Sequence, residues 1–138
     1  SEMCIRDSVY IVQPHPLGHE SYVSIYFEVK RKGIEPMKPH LQNIDISEIA
    51  KFVSGLVKNL FMYVTDIDSQ IDDKYAKSLL SSYGCQAAII KRMNDNKNDW
   101  VGSIFCEFTH PIEIPAEEAQ QIMHKAAINI QYILPEYK

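Results

Sequence analysis

Two apolar runs flanking a wholly polar turn occupy the last third of the chain, and they constrain its fold more than any other feature. Cys85 to Met93 forms the first run, Asn94-Asp95-Asn96-Lys97-Asn98-Asp99 the turn, and Trp100 to Phe108 the second run. Apolar stretches of this length around an Asn- and Asp-rich break predict a β-hairpin. Pro111 and Pro115 follow, and Pro115-Ala-Glu-Glu118 opens a helix, with proline in the first turn and acids at the positive end of the dipole. Ala119, Ile122, Met123, Ala126, Ala127, Ile130 and Leu134 recur at helical spacing and predict its buried stripe. A hairpin docked on a helix implies an α+β fold.

The remainder of the chain supplies more of both element types. Val9 to Val12 reads as a strand stopped by Pro14 and Pro16, with a turn at Gly18. Tyr22 to Arg31 alternates, placing Val23, Ile25, Phe27 and Val29 together on one apolar face. The stretch 32–43 holds two prolines and predicts an irregular but ordered loop. Asp45 with Glu48 has the spacing of a helix cap, and Ile46, Ile49, Val53, Leu56 and Val57 extend a helix to about Asn59. Leu60 to Thr65 predicts a short strand. From about Asp72 a second helix buries Tyr75, Ala76, Leu79 and Leu80 and ends at Gly84.

Bulk properties exclude several functions. At 138 residues and 46% hydrophobic composition the chain suits one globular domain. Its net charge of −4, with basic residues scattered, argues against nucleic acid as a partner, since Lys30-Arg31-Lys32 is the only dense basic patch. No apolar run reaches a membrane span of roughly 18–20 residues, so no membrane partner is expected and the location expected is cytoplasmic. Cys4, Cys85 and Cys106 are too widely spaced for a zinc site or a disulfide framework. Residues 1–8 include Met-Cys-Ile-Arg-Asp-Ser, which resembles a translated sequencing-adapter remnant. The expectation is that native sequence starts near Val9, with an upstream helix lost and an apolar strip at Ile130, Ile133 and Leu134 left partly uncovered.

Individual residues offer chemistry that their neighbours weaken. His15 and His19 have the i, i+4 spacing of a helical metal pair, but Pro16 and Gly18 break such a helix, so both read as solvated loop residues. Asp66, Asp68, Asp72 and Asp73 cluster without the glycine and closing glutamate of a calcium loop, and helix capping accounts for them better. Cys106 beside Glu107 suggests a nucleophile with His110 or His124, yet alternation puts Cys106 on the face of Ile104 and Phe108. Gly102 has no glycine partners for a phosphate loop and reads as a close helix–sheet crossing. Tyr22 and Tyr26 suit either a planar ligand or a packed helix.

Taken in order, the elements of residues 9–134 resemble a GAF domain without its first helix. Val9-Tyr-Ile-Val12 resembles the first core strand, Tyr83-Gly84 precedes the penultimate strand, and Trp100-Val101-Gly102-Ser103-Ile104 resembles the last-strand pattern. Leu41-Gln42-Asn43-Ile44 before a capped helix is similar to divergent GAF-like proteins of bacteriophages and their hosts. The resemblance implies an antiparallel sheet packed against helices and a non-catalytic sensory or regulatory domain for a small ligand. Its pocket would be lined by Tyr26, Glu28, His40, Gln42 and Asp66. The Asn-Lys-x-x-x-Phe-x-x-x-Asp-Glu pattern of cyclic-nucleotide domains is missing, as is a bilin-attaching cysteine, so no cofactor is expected. Two alternatives accompany this reading. One is a protein-interaction module whose pocket has closed and which dimerises through the terminal helices, using Ile128, Tyr132, Ile133 and Tyr137. The other is a sulfoxide reductase using Cys85 and Cys106.

Overall fold

The computed structural model describes residues 8–16, 18–33, 35–131 and 134. Along the chain run strands β1 (Ser8–His15) and β2 (Tyr22–Lys30), a 3₁₀ turn at Lys38–His40, and strand β3 (Ile44–Asp45). Helix α1 (Ala50–Lys58), strand β4 (Phe61–Val64) and helices α2 (Ile67–Gln70) and α3 (Lys74–Ser81) follow. The hairpin β5 (Ala87–Asn94) and β6 (Trp100–Phe108) leads into helix α4 (Ala116–Ile130). All strands pair antiparallel in one sheet of order β3-β2-β1-β6-β5-β4. The α+β expectation holds, hairpin and final helix included. Ser8 is the first residue of β1 and pairs with Lys30 and Glu107, while the rest of the segment 1–8, with Cys4, lies outside the described residues. Tyr132, Ile133 and Tyr137 lie outside them too.

Each face of the sheet carries its own core. On one face, Tyr10, Ile25, Ile90 and Phe105 meet Val53 and Leu56 of α1 and Ala76 and Leu80 of α3. Tyr10 and Phe105 stack at 4.8 Å. On the other face, Ile89, Ile104, Cys106 and Phe108 meet Ala119, Met123 and Ala127 of α4. Because both faces are covered, the central strands carry almost continuous apolar sequence instead of a clean alternation.

Three local features depart from the expected pattern. The first is a bulge in β2. Ile11 pairs with Phe27 but Val12 pairs with Ile25, which leaves Tyr26 without an opposite residue. An extra residue reverses side-chain parity. Val23 and Ile25 therefore point into the first core, whereas Phe27 and Val29 turn to the α4 face and remain 49% and 50% exposed. The second departure is that β1 continues through Pro14, which pairs with Val23. Its ladder with β6 ends at Val12, so Pro14 has a neighbour on one side only and its missing N–H leaves no gap in the sheet. The third lies in the 44–58 region. Asp45 accepts a hydrogen bond from Ser47 N, as a cap should, but the turn it opens is 3₁₀ over Ile46–Ile49 before α1 begins.

Helix α1 has no side-chain cap of its own. Asp73 supplies one from elsewhere, accepting from Ala76 N of α3 at 3.1 Å and from Phe52 N of α1 at 3.4 Å. At the far end, Arg92 donates to Val57 O and Asn98 O, tying the C-terminus of α1 to the hairpin turn. Tyr75, expected in the α3 stripe, is 43% exposed. Gly84 takes φ +79 after α3, the left-handed residue the sequence required there.

Candidate functional site

Between the sheet and helices α1 and α3 lies a cavity of about 60 Å³. Tyr10, Val23, Ile25 and Phe105 form its floor, and Leu41, Val53, Leu56 and Ala76 are among its walls. Phe52 belongs both to this wall and to a surface groove of about 490 Å³ between α1 and the α2–α3 region. That groove also presents Lys51, Gln70, Asp72 and Asp73. One aromatic ring is thus shared by a small apolar chamber and a larger groove of mixed apolar and polar lining.

The five residues named from the sequence do not line this chamber. Tyr26 is the bulged residue of β2 and is half-buried. Glu28 accepts hydrogen bonds from Met37 N at 2.9 Å and Lys38 N at 3.2 Å, clasping the segment between β2 and β3. Within that segment, the exposed His40 packs on Tyr83 with ring centroids 6.3 Å apart. Gln42 donates to Ile25 O at 2.9 Å and Lys38 O at 2.6 Å. Glu28 and Gln42 therefore hold one structure, a strap at the sheet end to which His40 belongs. Asp66 stands apart, capping α2 by accepting from Asp68 N and Ser69 Oγ.

Sequence reasoning passed over a buried carboxyl group. Glu107 on β6 is 4% exposed, and the Tyr10 hydroxyl donates to it. Burial pushes its pKa up to about 7; the Tyr10 hydrogen bond opposes that rise and the nearby Glu28 adds to it. Tyr10 is itself raised well above the usual phenol range, first by burial and then by Glu107. The signal was present in the sequence. The run Ile104-Phe105-Cys106-Glu107-Phe108 is apolar at both parities, so its one acid was bound to be enclosed.

The remaining candidates resolve as structure. His15 is buried at the end of β1, not solvated in a loop, because β1 extends past Pro14 and carries it into the sheet. Its Nε2 lies 2.9 Å from Ser24 Oγ, which also accepts from Asn43 N at 2.7 Å. Burial lowers the His15 pKa and so favours the neutral ring. With Ser24 only 2% exposed, this pair fastens β2 to the chain entering β3 and has no access to a substrate. Cys106 shares its face with Ile104 and Phe108, as expected, and its Sγ lies 3.6 Å from Met123 Sδ. Cys85 packs in the opposite core, with Sγ on Ala87 O. The sheet separates the two thiols, so they cannot form the bond that paired-cysteine chemistry requires. Gly102 is crossed closely by a strand, not a helix: a Cβ there would lie 2.7 Å from Val12 O. Among the described residues, no group of three or more His, Cys, Asp or Glu is placed to hold a metal ion.

No protein-family model matches the sequence, and no curated protein matches it either. Solved structures do match in fold. The photoproduct state of GAF3 from Slr1393 of Synechocystis sp. PCC6803 superposes with a TM-score of 0.70 at 13% identity, covering 90% of this chain and 78% of that one. The phycocyanobilin-bound GAF domain of a cyanobacterial phytochrome gives 0.65 at 19% identity, over 92% and 75% of the two chains. A domain of a protein from Sinorhizobium meliloti 1021, described as a two-component sensor histidine kinase, gives 0.64 at 10% identity, over 94% and 81%. The chain has a GAF-like fold.

Proposed function

We propose that this chain is a small-ligand-binding regulatory domain of the GAF type, without catalytic chemistry of its own. The observation that carries the reading is the apolar chamber between the sheet and helices α1 and α3, which shares Phe52 with the outer groove. The similar domains include one bound to phycocyanobilin, which supports a ligand role for the fold. A chamber of about 60 Å³ is far smaller than the roughly 300–1,000 Å³ of drug-sized sites, whereas the groove of about 490 Å³ falls within that range. The ligand class that fits is a small aromatic or apolar head placed past Phe52, with a polar end among Lys51, Gln70, Asp72 and Asp73. No helix among the described residues is long and apolar enough to cross a membrane.

The test is a thermal-shift screen with nucleobases, nucleotides and small aromatic metabolites. A ligand at a hundred times its Kd adds about 2.7 kcal/mol, which for a domain of this size raises Tm by roughly 10 °C. Ala76→Leu fills the chamber wall and should abolish the shift while the chain stays folded. A screen without hits, or hits indifferent to Ala76→Leu, would overturn the reading.

A second reading, homodimerisation, draws on a different observation. Phe27 and Val29 of β2 and Ile128 of α4 are about half exposed, and the bulge at Tyr26 sends both β2 residues to the α4 face. Ile128 is the one member of the terminal-helix surface named from the sequence that falls within the described residues.

A further inference from the structure

Beside Glu107 lies a space of about 10 Å³, roughly the room one water needs. Ser8 and Thr109 bound it at the sheet end, Tyr83 and Cys85 behind, and Glu35 and Met37 of the strap in front. The titratable groups around Glu107 are Tyr10 from β1, Glu28 from β2, Glu35 from the strap, and Tyr83 and Cys85 from the segment after α3. Each of these is neutral or negative. His40 packs on Tyr83 and is not among the lining residues, and among the described residues the lining contains no Lys or Arg.

The strap is held at both ends: Ile25 N of β2 donates to Leu41 O at 3.0 Å and Gln42 donates to Lys38 O, while its Met37 end rests on Glu28. Glu28 holds the amides of Met37 and Lys38, while the amides of His40 and Leu41 donate to Met37 O. Met37 is 2% exposed and closes the front of the space, and Leu41, at the far end of the strap, lines the apolar chamber. An ionised carboxylate without a cation cannot be kept dry, and here it would also face two further acids. The space has room for about one water, so fuller hydration of the carboxylate requires the buried Met37 to move aside.

We propose that Glu107 is a proton-operated latch on the strap Glu35–Leu41: protonated, it leaves the strap seated, and once its proton passes to bulk water the strap lifts at Met37 to hydrate the carboxylate. Burial, by holding the carboxyl's pKa near 7, places the transition close to neutral pH. Because Leu41 belongs to both structures, lifting also loosens the chamber wall. That consequence rests on the ligand-binding reading above, but the latch itself does not.

Hydrogen–deuterium exchange of the Met37, Lys38, His40 and Leu41 amides, followed in the ligand-free chain from pH 5.5 to 8.5 and corrected for intrinsic exchange, tests the latch. ¹³C NMR of the Glu107 side-chain carboxyl in the same samples gives its titration. The expected result is an opening that grows roughly tenfold between pH 7 and 8, with the midpoint of the carboxyl titration. In Glu107→Gln the exchange should stay flat at the low-pH level. Tyr10→Phe, which removes the hydrogen bond favouring the ionised form, should move the midpoint upward. Flat strap exchange while Glu107 titrates, or an equal rise in Glu107→Gln, would overturn the latch. Since no ligand is present, failure of the ligand-binding reading leaves this result untouched.

Discussion

A carboxyl group with no cation beside it stays in a protein interior by keeping its proton, and among the described residues Glu107 is such a group. Its surroundings differ from those of Asp45, Asp66 and Asp73, each of which accepts hydrogen bonds from a backbone amide at the start of a helical turn. At Asp45 the bonds from Ser47 favour the charged form and lower the pKa. Glu107 does the reverse, with consequences for stability. An unfolded Glu loses its proton at about pH 4.3, whereas folded Glu107 holds its own to about 7. Between these values the native chain binds the extra proton, so stability falls as pH rises through the window and levels off above it. The span corresponds to on the order of 3 kcal/mol. Urea denaturation of the chain and of Glu107→Gln should give matching stabilities near pH 4 and a Gln variant more stable by about that amount at pH 8. His15, whose lowered pKa makes acid destabilising, is common to both proteins and cancels in the difference. A difference constant across pH would show that Glu107 ionises normally.

At the scale of elements, strand parity and glycine placement decide what each surface shows. The bulge at Tyr26 could not be read from β2 alone, because it arises from how β2 pairs with β1. Alternation within one strand predicts a face only while the register with its neighbour is unbroken. Gly102 makes a related point. Its φ of +154 and the 2.7 Å separation of a would-be Cβ from Val12 O place the constraint in the β1–β6 contact, which no spacing along β6 reveals. Gly102→Ala should therefore cost about 1–3 kcal/mol through backbone strain, before any change in register. Gly55 provides the internal comparison. It lies in α1 with ordinary φ, and its Cβ would meet only Asn59 Nδ2 at 3.9 Å, so Gly55→Ala should stabilise by roughly 0.5–1 kcal/mol. Thermal denaturation of the two variants should give shifts of opposite sign. Equal shifts would remove the close-approach account of Gly102.

At the scale of the whole molecule, the sequence revealed the hairpin, α1, α3, α4 and the GAF-like order because each depends on local periodicity and punctuation. The short helix α2, the burial of His15 and the enclosure of Glu107 depend on what the sheet brings beside them, and local spacing does not record that. Of the five residues named for a pocket, His40 proved to lie in the strap and Glu28 and Gln42 to hold it, for the same reason: a loop's partners are set by the fold around it. The sheet's two faces are also unequally covered. Helices α1 and α3 pack against one face, while on the other α4 packs against β5 and β6, and Phe27 and Val29 remain half exposed beyond it. Fully burying an apolar side chain of this size stabilises by about 1.5–3 kcal/mol. Completing the burial of Phe27, Val29 and Ile128 on each of two chains would supply several kcal/mol toward association. A symmetric contact brings the same patch from both copies, so each substitution acts twice. Sedimentation velocity should accordingly show a dimer at high concentration, and Phe27→Glu with Val29→Lys should give a monomer whose circular dichroism is unchanged. A monomer for the unsubstituted chain at all concentrations would leave this surface without the partner proposed for it.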